Sequence, residues 1–292
     1  MSPHEAGFVV PIDKPVGPTS HDVVGAARKA LSTRRVGHTG TLDPFASGLL
    51  MLCVGPATRI AEYLSGLDKS YEATARLGEI TNTDDLEGEV VERHDGWRDL
   101  DEVDITRALA AFVGEIDQVP PQYSAKKVGG EAMYRKARRG EHVVLEANRI
   151  RIDSVELLSV EFPAVRFRMR CSTGTYVRAL ARDLGEALGV GAHLTQLRRT
   201  AVGAFAVDHA IPMPSLADPS EVERVALTPL QALAHLPTWE VDTETARRLA
   251  HGQRVPYSGP ESSDPVAVGA HGGLLAVGIA SEGVFKPSKV FV

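Results

Sequence analysis

The chain has 292 residues, a formal net charge of −6 and two cysteines. Hydrophobic residues make up 43% and charged residues 24% of it, as expected for a globular protein with one large domain, or one large and one small domain. No apolar run is long enough to cross a membrane, the first residues lack a signal-peptide pattern, and two cysteines cannot form a cysteine metal cluster, so we expect a cytoplasmic protein with two buried, reduced thiols.

The charges are distributed unevenly along the chain. Residues 79–104 carry eleven acidic residues against two arginines, whereas residues 121–151 carry eight basic residues against three acidic ones. Residues 165–200 carry seven basic residues against two acidic ones. Because local clusters of charge attract phosphate groups more than the net charge does, each basic segment is either a nucleic-acid-binding surface or an ordinary mixed surface in contact with water.

The N-terminal half contains clear helix and strand signals. Thr19 and Asp22 have the spacing of a capping box, which predicts that a helix begins at this point. Apolar and polar residues alternate over 71–77, which predicts a half-buried strand ending at Gly78. Further along the chain, Asp104 is predicted to cap another helix.

The second half begins with an excursion from the core at residues 120–141. Two consecutive prolines open it, a Gly-Gly turn follows, and a short basic helix is predicted at 133–139. The clearest strand signal lies at 165–171, where apolar residues alternate with three arginines. A Ser-Thr-Gly turn then leads into a helix that is predicted to end at Gly189.

Helices and strands mix without a regular β-α-β repeat, which favours the α+β fold class. Beyond about residue 236 the chain changes character, and short strand candidates alternate with glycine-rich turns. These candidates are 266–268, 274–279 and 289–292. We therefore predict a large α+β domain at 1–235 and a small β-rich domain at 236–292.

One carboxylate stands in a distinctive context. Asp43 lies in the run GHTGTLDPFASGLL at residues 37–50, between a basic pair, Arg34 and Arg35, and an apolar segment. A glycine-punctuated turn of this kind can present an acidic side chain at a pocket while the flanking elements hold its backbone. The alternative is structural, because Asp followed by Pro is a favoured helix start, with Asp43 as the N-cap.

Two further residues have both a functional and a structural interpretation, and a third has only a structural one. Arg178 lies just inside the helix that follows the arginine-striped strand; it either reaches back to a carboxylate in a bidentate pair or lies exposed and pairs with Glu186. Tyr71 either stacks on a flat base or is a core tyrosine. Leu197 is a core residue by its pattern alone.

Other chemistries find little support in the sequence. His38 has no second histidine at helical spacing, and we predict no metal site. No glycine-rich phosphate loop follows a strand, and no GxSxG nucleophile motif occurs. A carboxylate, an arginine, a tyrosine and basic surfaces together suit covalent catalysis by Asp43 on a nucleic-acid base.

The run around Asp43 closely resembles the catalytic motif of the TruB family of tRNA pseudouridine synthases, which modify uridine 55 in the T loop. Further segments resemble the family in the same order, and one of them, PPQYSAKK, resembles the branch that modifies the T loop. The matching segments are VPIDKPVGPTS at 10–20, KSYE at 69–72, PPQYSAKK at 120–127, CSTGTYVR at 171–178 and HLTQLRRT at 193–200. More loosely, the C-terminal part resembles the PUA RNA-binding module.

This resemblance implies a pseudouridine synthase fold, which is a mixed, mainly antiparallel sheet with flanking helices, followed by a small PUA-like domain. It implies isomerisation of uridine 55 to pseudouridine on a base flipped out of the RNA, a reaction that needs no metal, redox partner or nucleotide cofactor. The implied partner is the T stem-loop of tRNA, bound by a monomer, with the basic insertion at about 120–150 clamping the RNA.

The resemblance also implies roles for individual residues. Asp43 is the nucleophile, on either the base ring or the sugar C1′. Arg178 pairs with Asp43, and Tyr71 stacks on the target base and assists proton removal. The implied substrate-binding residues are His38, which enters the space left by the flipped base, Tyr176, which lines the pocket, Leu197, which packs beneath the ring, and Lys14 and Pro15, which support the pocket.

Three rival functions remain open. One is a non-catalytic tRNA-binding or tRNA-folding factor that uses the same surfaces. Another is a related synthase that acts on other RNAs, including one that depends on a guide RNA. A glycoside hydrolase would need a second carboxylate, for which Asp13 and Asp183 are the candidates. The intact set of Asp43, Tyr71 and Arg178 favours the synthase.

Overall fold

A computed structural model describes residues 7–123, 127–128, 131–132 and 145–291 of the chain. The predicted basic helix at 133–139 and the Gly-Gly turn before it lie outside these described residues. None of the helices described is both long and apolar enough to span a membrane. By its internal contacts the chain divides into two compact units, one at Met1–Asp43, Leu49–Gly66 and Val207–Val292, the other at Pro44–Gly48 and Leu67–Ala206.

Strands provide the framework of both units. In chain order they are β1 (Phe8–Lys14), β2 (Val36–His38), β3 (Ser47–Val54), β4 (Lys69–Leu77), β5 (Glu79–Thr81), β6 (Val90–Arg93), β7 (Gly114–Gln118), β8 (Lys127–Val128), β9 (Glu131–Ala132), β10 (Asn148–Glu161), β11 (Ala164–Cys171), β12 (Ala192–Val202), β13 (Phe205–Ala206), β14 (Ile211–Pro212), β15 (Thr238–Glu240), β16 (Val255–Pro256), β17 (Val266–Ala270), β18 (Gly273–Ser281) and β19 (Val284–Val290). The strand predicted at 165–171 is confirmed as β11, and the one predicted at 71–77 as β4.

The α-helices of the described residues are short and lie between the strands. They are α1 (Ser20–Ala30), α2 (Ala61–Ser65), α3 (Glu102–Ala110), α4 (Val177–Ala187), α5 (Pro219–Val225), α6 (Pro229–Ala232) and α7 (Thr243–Ala250), with short 3₁₀ helices at Gly55–Ile60, Gly96–Asp99, Val207–His209 and Met213–Ala217. The mixture of elements confirms the α+β class.

Two of the predicted helix boundaries are confirmed and one is wrong. Thr19 and Asp22 form a reciprocal capping box at the start of α1, as predicted. Helix α4 stops just before Gly189, which has a positive φ of 72°. Asp104 does not cap α3: Asp101 is the N-cap residue, and Asp104 is the third helical residue that bonds back to it.

In the first unit, α1 packs on strands rich in apolar residues. Strand β1 pairs in parallel with β14 and lies beside β3, which also pairs with β2 in the antiparallel sense. Nearly every residue of β1 is buried, as in a strand covered on both faces. The shared core includes Val10, Ile12, Val23, Val24, Ala27, Leu50, Leu52, Val54 and Ile211.

The C-terminal part of the first unit forms a separate five-stranded sheet in the order β15–β17–β18–β19–β16. Its core contains Trp239 and Phe285, whose ring centroids lie 5.7 Å apart in an edge-on arrangement. The prediction of a β-rich C-terminal region is confirmed, except that its last strand is Val284–Val290 and not 289–292. Two contacts fix the end of β19: an ion pair between Lys289 and Glu62, and a 2.6 Å hydrogen bond from Arg59 to the Val290 carbonyl.

In the second unit, five strands form an antiparallel array in the order β7–β10–β11–β4–β12. Burial alternates along β4 and β11, so that one face is apolar and the other carries charged residues. Residues 47 and 48 of β3 pair in parallel with β12. Gly48 has a φ of +104°, and a Cβ there would lie 2.2 Å from the Arg199 carbonyl oxygen, so the strands can pair this closely only with glycine at that position.

Both cysteines are buried and unpaired, as predicted. Burial raises the pKa of the Cys53 thiol to about 12 and that of the Cys171 thiol to about 11. Both side chains are therefore neutral thiols at physiological pH and have the low reactivity of structural cysteines.

Candidate active site

Asp43 and the loop residues that precede it belong to the first unit, and this segment is held from both sides. His38 is the last residue of β2 and lies opposite Leu52 of β3, and its Nδ1 accepts a 3.3 Å hydrogen bond from the Gly40 amide. At the other end, the buried Ser20 hydroxyl accepts from the Leu42 amide at 2.8 Å and donates to the Leu42 carbonyl at 3.0 Å. The residue before Asp43 is thus fixed to the first turn of α1.

The structure excludes the helix-start interpretation of the Asp-Pro pair. After Asp43 the chain makes a turn at Pro44 and Phe45 and enters β3 at Ser47. No helix follows, so Asp43 is not a helix N-cap. Its side chain is half-buried, which leaves it partly accessible to a ligand while its backbone is restrained.

Lys14 is the last residue of β1, and Pro15 begins the turn that leads into α1 in the same unit. The Lys14 side chain is completely buried, and its Nζ donates to the Pro15 carbonyl at 2.9 Å and to the Pro18 carbonyl at 2.7 Å. A buried ammonium must be hydrogen-bonded in this way, because its desolvation is otherwise prohibitive. Lys14 therefore organises the turn around Pro15 from within.

Tyr71 and Leu197 belong to the second unit and share one face of its sheet. Tyr71 on β4 lies opposite Arg199 of β12, and the next pair on that face joins Ala73 and Leu197. Tyr71 and Leu197 are therefore diagonal neighbours on the buried face. Each is 8% exposed, so both side chains are largely enclosed.

Two buried cations accompany Tyr71 on this face, and the sequence analysis missed them. Lys69 lies two residues before Tyr71, and its Nζ donates to the Leu67 carbonyl at 2.6 Å. Burial, reinforced by the charge of Arg199, lowers the pKa of Lys69 to about 8. The face that carries Tyr71 is thus more positive than its apolar pattern indicates.

Arg178, on α4 in the second unit, is buried and not a solvent-exposed helix arginine. Its Nη1 donates to Asp85 Oδ2 at 2.9 Å and to the Thr83 carbonyl at 3.1 Å, and its Nη2 donates to the Tyr123 carbonyl at 2.8 Å. The side chains of Arg178 and Asp85 are only 6% and 4% exposed. The alternative in which Arg178 is exposed and pairs with Glu186 is therefore wrong.

Asp85 is the functional candidate that the sequence analysis missed. Its Oδ1 accepts hydrogen bonds from the Thr83 hydroxyl at 2.6 Å and from the Glu87 amide at 3.0 Å, while Oδ2 accepts from Arg178. In the sequence it appeared only as one of eleven acids at 79–104. Its partner lies 93 positions away, so no local pattern could identify the pair.

A second arginine of α4 reinforces the same loop. Arg182 lies one turn after Arg178 and donates to Asp84 Oδ2 at 3.0 Å and to the Val119 carbonyl at 2.9 Å. Asp84 has a φ of 60°, and burial raises the pKa of its carboxyl while the charge of Arg182 opposes this shift. The two arginines together fasten the loop around residues 83–85 to α4.

Gln118 fixes the start of α4. Its side-chain amide donates to the Tyr176 carbonyl at 3.1 Å, and its Oε1 accepts from the Tyr176 backbone amide at 2.8 Å. Gln118 is 2% exposed, and Tyr176 precedes the first residue of the helix. Since Arg178 follows two residues later, Gln118 constrains both the Tyr176 backbone and the position from which Arg178 projects.

The arginine stripe of β11 forms ion pairs within the protein. Arg168 and Arg166 donate to the two oxygens of Glu72 at 2.9 and 2.8 Å, and these hydrogen bonds lower the pKa of Glu72. Arg170 donates to Asp68 at 3.2 Å. For this part of the basic segment at 165–200, the structure favours the mixed surface over a bare phosphate-binding stripe.

The predicted site residues thus fall into two sets. Lys14, Pro15, His38 and Asp43 belong to the first unit, where they lie around the start of α1 and the end of β2. Tyr71, Tyr176, Arg178 and Leu197 belong to the second unit, on β4, β12 and the start of α4. The PPQYSAKK segment lies only partly within the described residues.

Two family models match the chain. Residues 28–177 match the N-terminal domain of TruB family pseudouridylate synthases, and residues 178–233 match the C-terminal domain of tRNA pseudouridylate synthase B. The first match alone covers about half of the chain, and it includes Asp43, Tyr71 and Tyr176.

Individual proteins give the same result. A tRNA pseudouridine synthase B of Burkholderia lata is 45% identical over 97% of this chain and 90% of its own length. Another, of Mycobacterium sp. strain KMS, is 53% identical over 73% of this chain and 72% of its own length. Among solved structures, a Cbf5–Nop10–Gar1 complex matches with a TM-score of 0.77 and 28% identity over 99% of this chain and 86% of that one. An H/ACA ribonucleoprotein bound to a substrate RNA containing 2′-deoxyuridine matches with a TM-score of 0.76 and 26% identity, with the same coverage. The chain therefore belongs to the TruB family of pseudouridylate synthases.

Proposed function

We propose that the protein converts uridine 55 in the T loop of tRNA to pseudouridine, with Asp43 as the nucleophile. The observation that carries this proposal is the nearly full-length similarity to proteins named tRNA pseudouridine synthase B. The restrained, partly accessible carboxylate of Asp43 adds support, because covalent catalysis needs a nucleophile held in one position.

The reaction rearranges bonds within one nucleotide. The bond between C1′ and N1 of the uracil breaks, the ring turns, and a bond forms between C1′ and C5. The proton leaves C5, and N1 gains one, so atoms and electrons balance without an oxidant or reductant. The Asp43 carboxylate supplies the electron pair for a temporary covalent bond, either to the base ring or to the sugar, and this bond breaks again when the product forms.

The other site residues act on a base flipped out of the RNA, since a stacked uracil is shielded from attack. We assign stacking and proton removal to Tyr71, support beneath the ring to Leu197 and lining of the pocket to Tyr176. The position of Tyr71 and Leu197 on a mostly buried face is suited to excluding water from the flipped base. Arg178 keeps the role of fixing the reacting carboxylate.

The remaining site residues belong to the first unit, where one contacts the RNA and two support the site. His38 enters the space that the flipped base leaves, and Lys14 and Pro15 support the site through the turn they build. The substrate partner is the T stem-loop, and we expect a monomer because one tRNA arm needs one site.

Release of tritium from tRNA labelled at C5 of uridine tests the function. C5 loses its hydrogen only when it becomes the glycosidic carbon, so the wild-type protein should release one tritium per modified uridine, and mapping should place it in the T loop. Tight tRNA binding without any release would favour the non-catalytic binding or folding factor. Release mapped elsewhere would favour a synthase of different specificity.

Replacing Gln118 by methionine should lower the rate of pseudouridine formation. The variant keeps the side-chain length but loses both hydrogen bonds to Tyr176, and a displacement of the helix start should cost about 10- to 100-fold in kcat. The loss of two buried hydrogen bonds should also lower the free energy of unfolding by about 1–3 kcal/mol.

The matched control for this variant is Gln196→Met, because Gln196 is exposed and its Oε1 only accepts a hydrogen bond of 3.3 Å from the Thr74 hydroxyl. Its kcat and unfolding free energy should stay near the wild-type values. Gln118→Glu retains an acceptor for the Tyr176 amide and should recover part of kcat. A Gln118→Met enzyme with kcat within twofold of wild type would show that Gln118 does not position the helix for catalysis.

A further inference from the structure

The corner between α1 and β2 concentrates positive charge. Arg28, Lys29, Arg34 and Arg35 lie within eight residues, and no acidic residue occurs between Asp22 and Asp43. The segment is therefore basic within a chain whose net charge is −6.

Three of these cations form no ion pair within the part of the chain that the structure describes. Lys29, Arg34 and Arg35 are exposed, and none of them makes an ion pair with any residue in the described part of the chain. Arg28 is engaged differently, since its Nη2 donates to the Val36 carbonyl at 3.1 Å. The α1–β2 corner, which we define as Lys29, Arg34 and Arg35, therefore presents three full charges to solvent.

The backbone beneath these side chains is well fixed. The Thr33 amide donates to the Arg28 carbonyl at 3.1 Å, and the Gly55 amide donates to the Arg35 carbonyl at 2.7 Å. The Arg35 amide donates to the Thr33 hydroxyl at 3.3 Å. Because the backbone groups are already hydrogen-bonded, the corner holds its cations in a stable arrangement without using their charges.

The arginines of β11 provide an internal comparison. Arg166 and Arg168 are as exposed as surface arginines usually are, at 55% and 51%, yet both are paired with Glu72. A phosphate that approached them would have to displace a carboxylate. At the α1–β2 corner, an incoming phosphate would not have to displace a carboxylate of the described residues. It would displace water and counterions, and the release of counterions favours binding.

The corner also lies close in sequence and space to a residue of the proposed site. Arg35 directly precedes β2, and His38 ends it. At a rise of about 3.3 Å per residue, three residues along a strand span about 10 Å. An RNA whose flipped nucleotide is followed by His38 would therefore bring its neighbouring phosphates over this corner.

From these observations, we propose that Lys29, Arg34 and Arg35 bind the sugar-phosphate backbone of the substrate RNA next to the target nucleotide. The inference rests on the proposed function, because it takes tRNA as the ligand. The contacts are electrostatic and independent of sequence, so they contribute affinity and orientation while base-specific recognition lies elsewhere.

The test compares the salt dependence of tRNA binding between variants. In the variant Lys29→Gln/Arg34→Gln/Arg35→Gln, the dissociation constant for tRNA at 0.1 M salt should rise on the order of 100-fold. The slope of log K against log salt should fall in magnitude by about 2 to 3, since each phosphate that the protein neutralises contributes about 0.7–0.9 to it. The matched control Arg166→Gln/Arg168→Gln removes two exposed but paired arginines and should leave the slope within about 0.5 of wild type.

A conservative variant separates charge from structure. Lys29→Arg/Arg34→Lys/Arg35→Lys keeps all three charges and should retain the wild-type slope, and thermal unfolding of each variant shows whether the fold is intact. A triple glutamine variant that is folded and binds tRNA with the wild-type slope would overturn the proposal. So would an equal loss of slope in the Arg166→Gln/Arg168→Gln control, since paired and unpaired arginines would then contribute alike.

The outcome is independent of the reaction assay. Binding is measured without turnover, so a normal slope with normal tritium release rejects only the phosphate surface. A wild-type protein that releases no tritium rejects the proposed reaction, and one that fails to bind tRNA rejects the proposed substrate and this surface with it.

Discussion

In an Asp43→Asn enzyme, the rate of pseudouridine formation is expected to fall by at least about 10⁴-fold, because a neutral amide is a far weaker nucleophile than a carboxylate. The change is nearly isosteric, so the loop that Ser20 holds at Leu42 should keep its conformation. Tritium release under single-turnover conditions, with enzyme in excess over C5-labelled tRNA, measures the effect on the chemical step.

Binding of tRNA should survive the same substitution. Affinity for RNA is spread over many phosphate contacts, so the dissociation constant of Asp43→Asn should stay within about threefold of wild type. Asp208→Asn is the matched control: Asp208 is an exposed carboxylate of the same unit, and its variant should release tritium at the wild-type rate. Appreciable turnover by Asp43→Asn would remove Asp43 from the role of nucleophile and reopen the search among other carboxylates, such as Asp13.

Local signals in the sequence predicted a large part of the fold. The alternation over 165–171 identified β11 because a half-buried strand in an antiparallel sheet needs a period of two. The capping box of Thr19 and Asp22 identified the start of α1 because both of its hydrogen bonds lie within one turn. Signals of this kind are contained within a few residues, so they can be recognised without knowledge of the tertiary structure.

Ambiguity arose where two residues met the same local rule. Asp101 and Asp104 are three positions apart, and either carboxylate could have capped a helix; the structure shows that each bonds to the backbone of the other, with Asp101 outside the helix. The Asp-Pro pair at Asp43 presented the same difficulty, because a helix start and a turn before a strand begin with the same two residues. Only the position of β3, which begins at Ser47, shows that no helix starts at Asp43.

Local patterns did not identify the partners of residues that interact across distant positions. The arginines of β11 appeared as a basic stripe because Glu72 and Asp68, which neutralise them, lie about one hundred positions away. The requirement for Gly48 arises only where β3 meets Arg199. The acid that holds Arg178 was hidden for the same reason, and its contribution is the subject of the second large effect that we expect.

Replacing Asp85 by alanine should unfold the second unit more easily and inactivate the enzyme. The side chain of Arg178 would keep its charge in a site that is almost closed to water, and breaking a buried pair in this way costs about 3–5 kcal/mol. The loop at 83–87 would also lose the carboxylate oxygen that accepts from Thr83 and Glu87. Urea unfolding and tritium release measure the two effects on the same preparation.

Removing both charges should separate stability from activity. In Arg178→Met/Asp85→Leu no charge is left unpaired, and the free energy of unfolding should recover to within about 1–2 kcal/mol of wild type. Pseudouridine formation should not recover, because the guanidinium is absent. Arg178→Lys should also be severely impaired, since one ammonium cannot replace the two guanidinium nitrogens that reach Asp85 and the Tyr123 carbonyl.

The control for this series is Glu221→Ala, which breaks an exposed pair with Arg224 and should change the free energy of unfolding by less than about 1 kcal/mol. If the double variant regained both stability and turnover, Arg178 would be a structural residue and the assignment of a catalytic role to it would be wrong. If it regained stability alone, the buried pair would have two separable effects: Asp85 holds the arginine in a site that water does not reach, and the arginine acts from that position in the reaction.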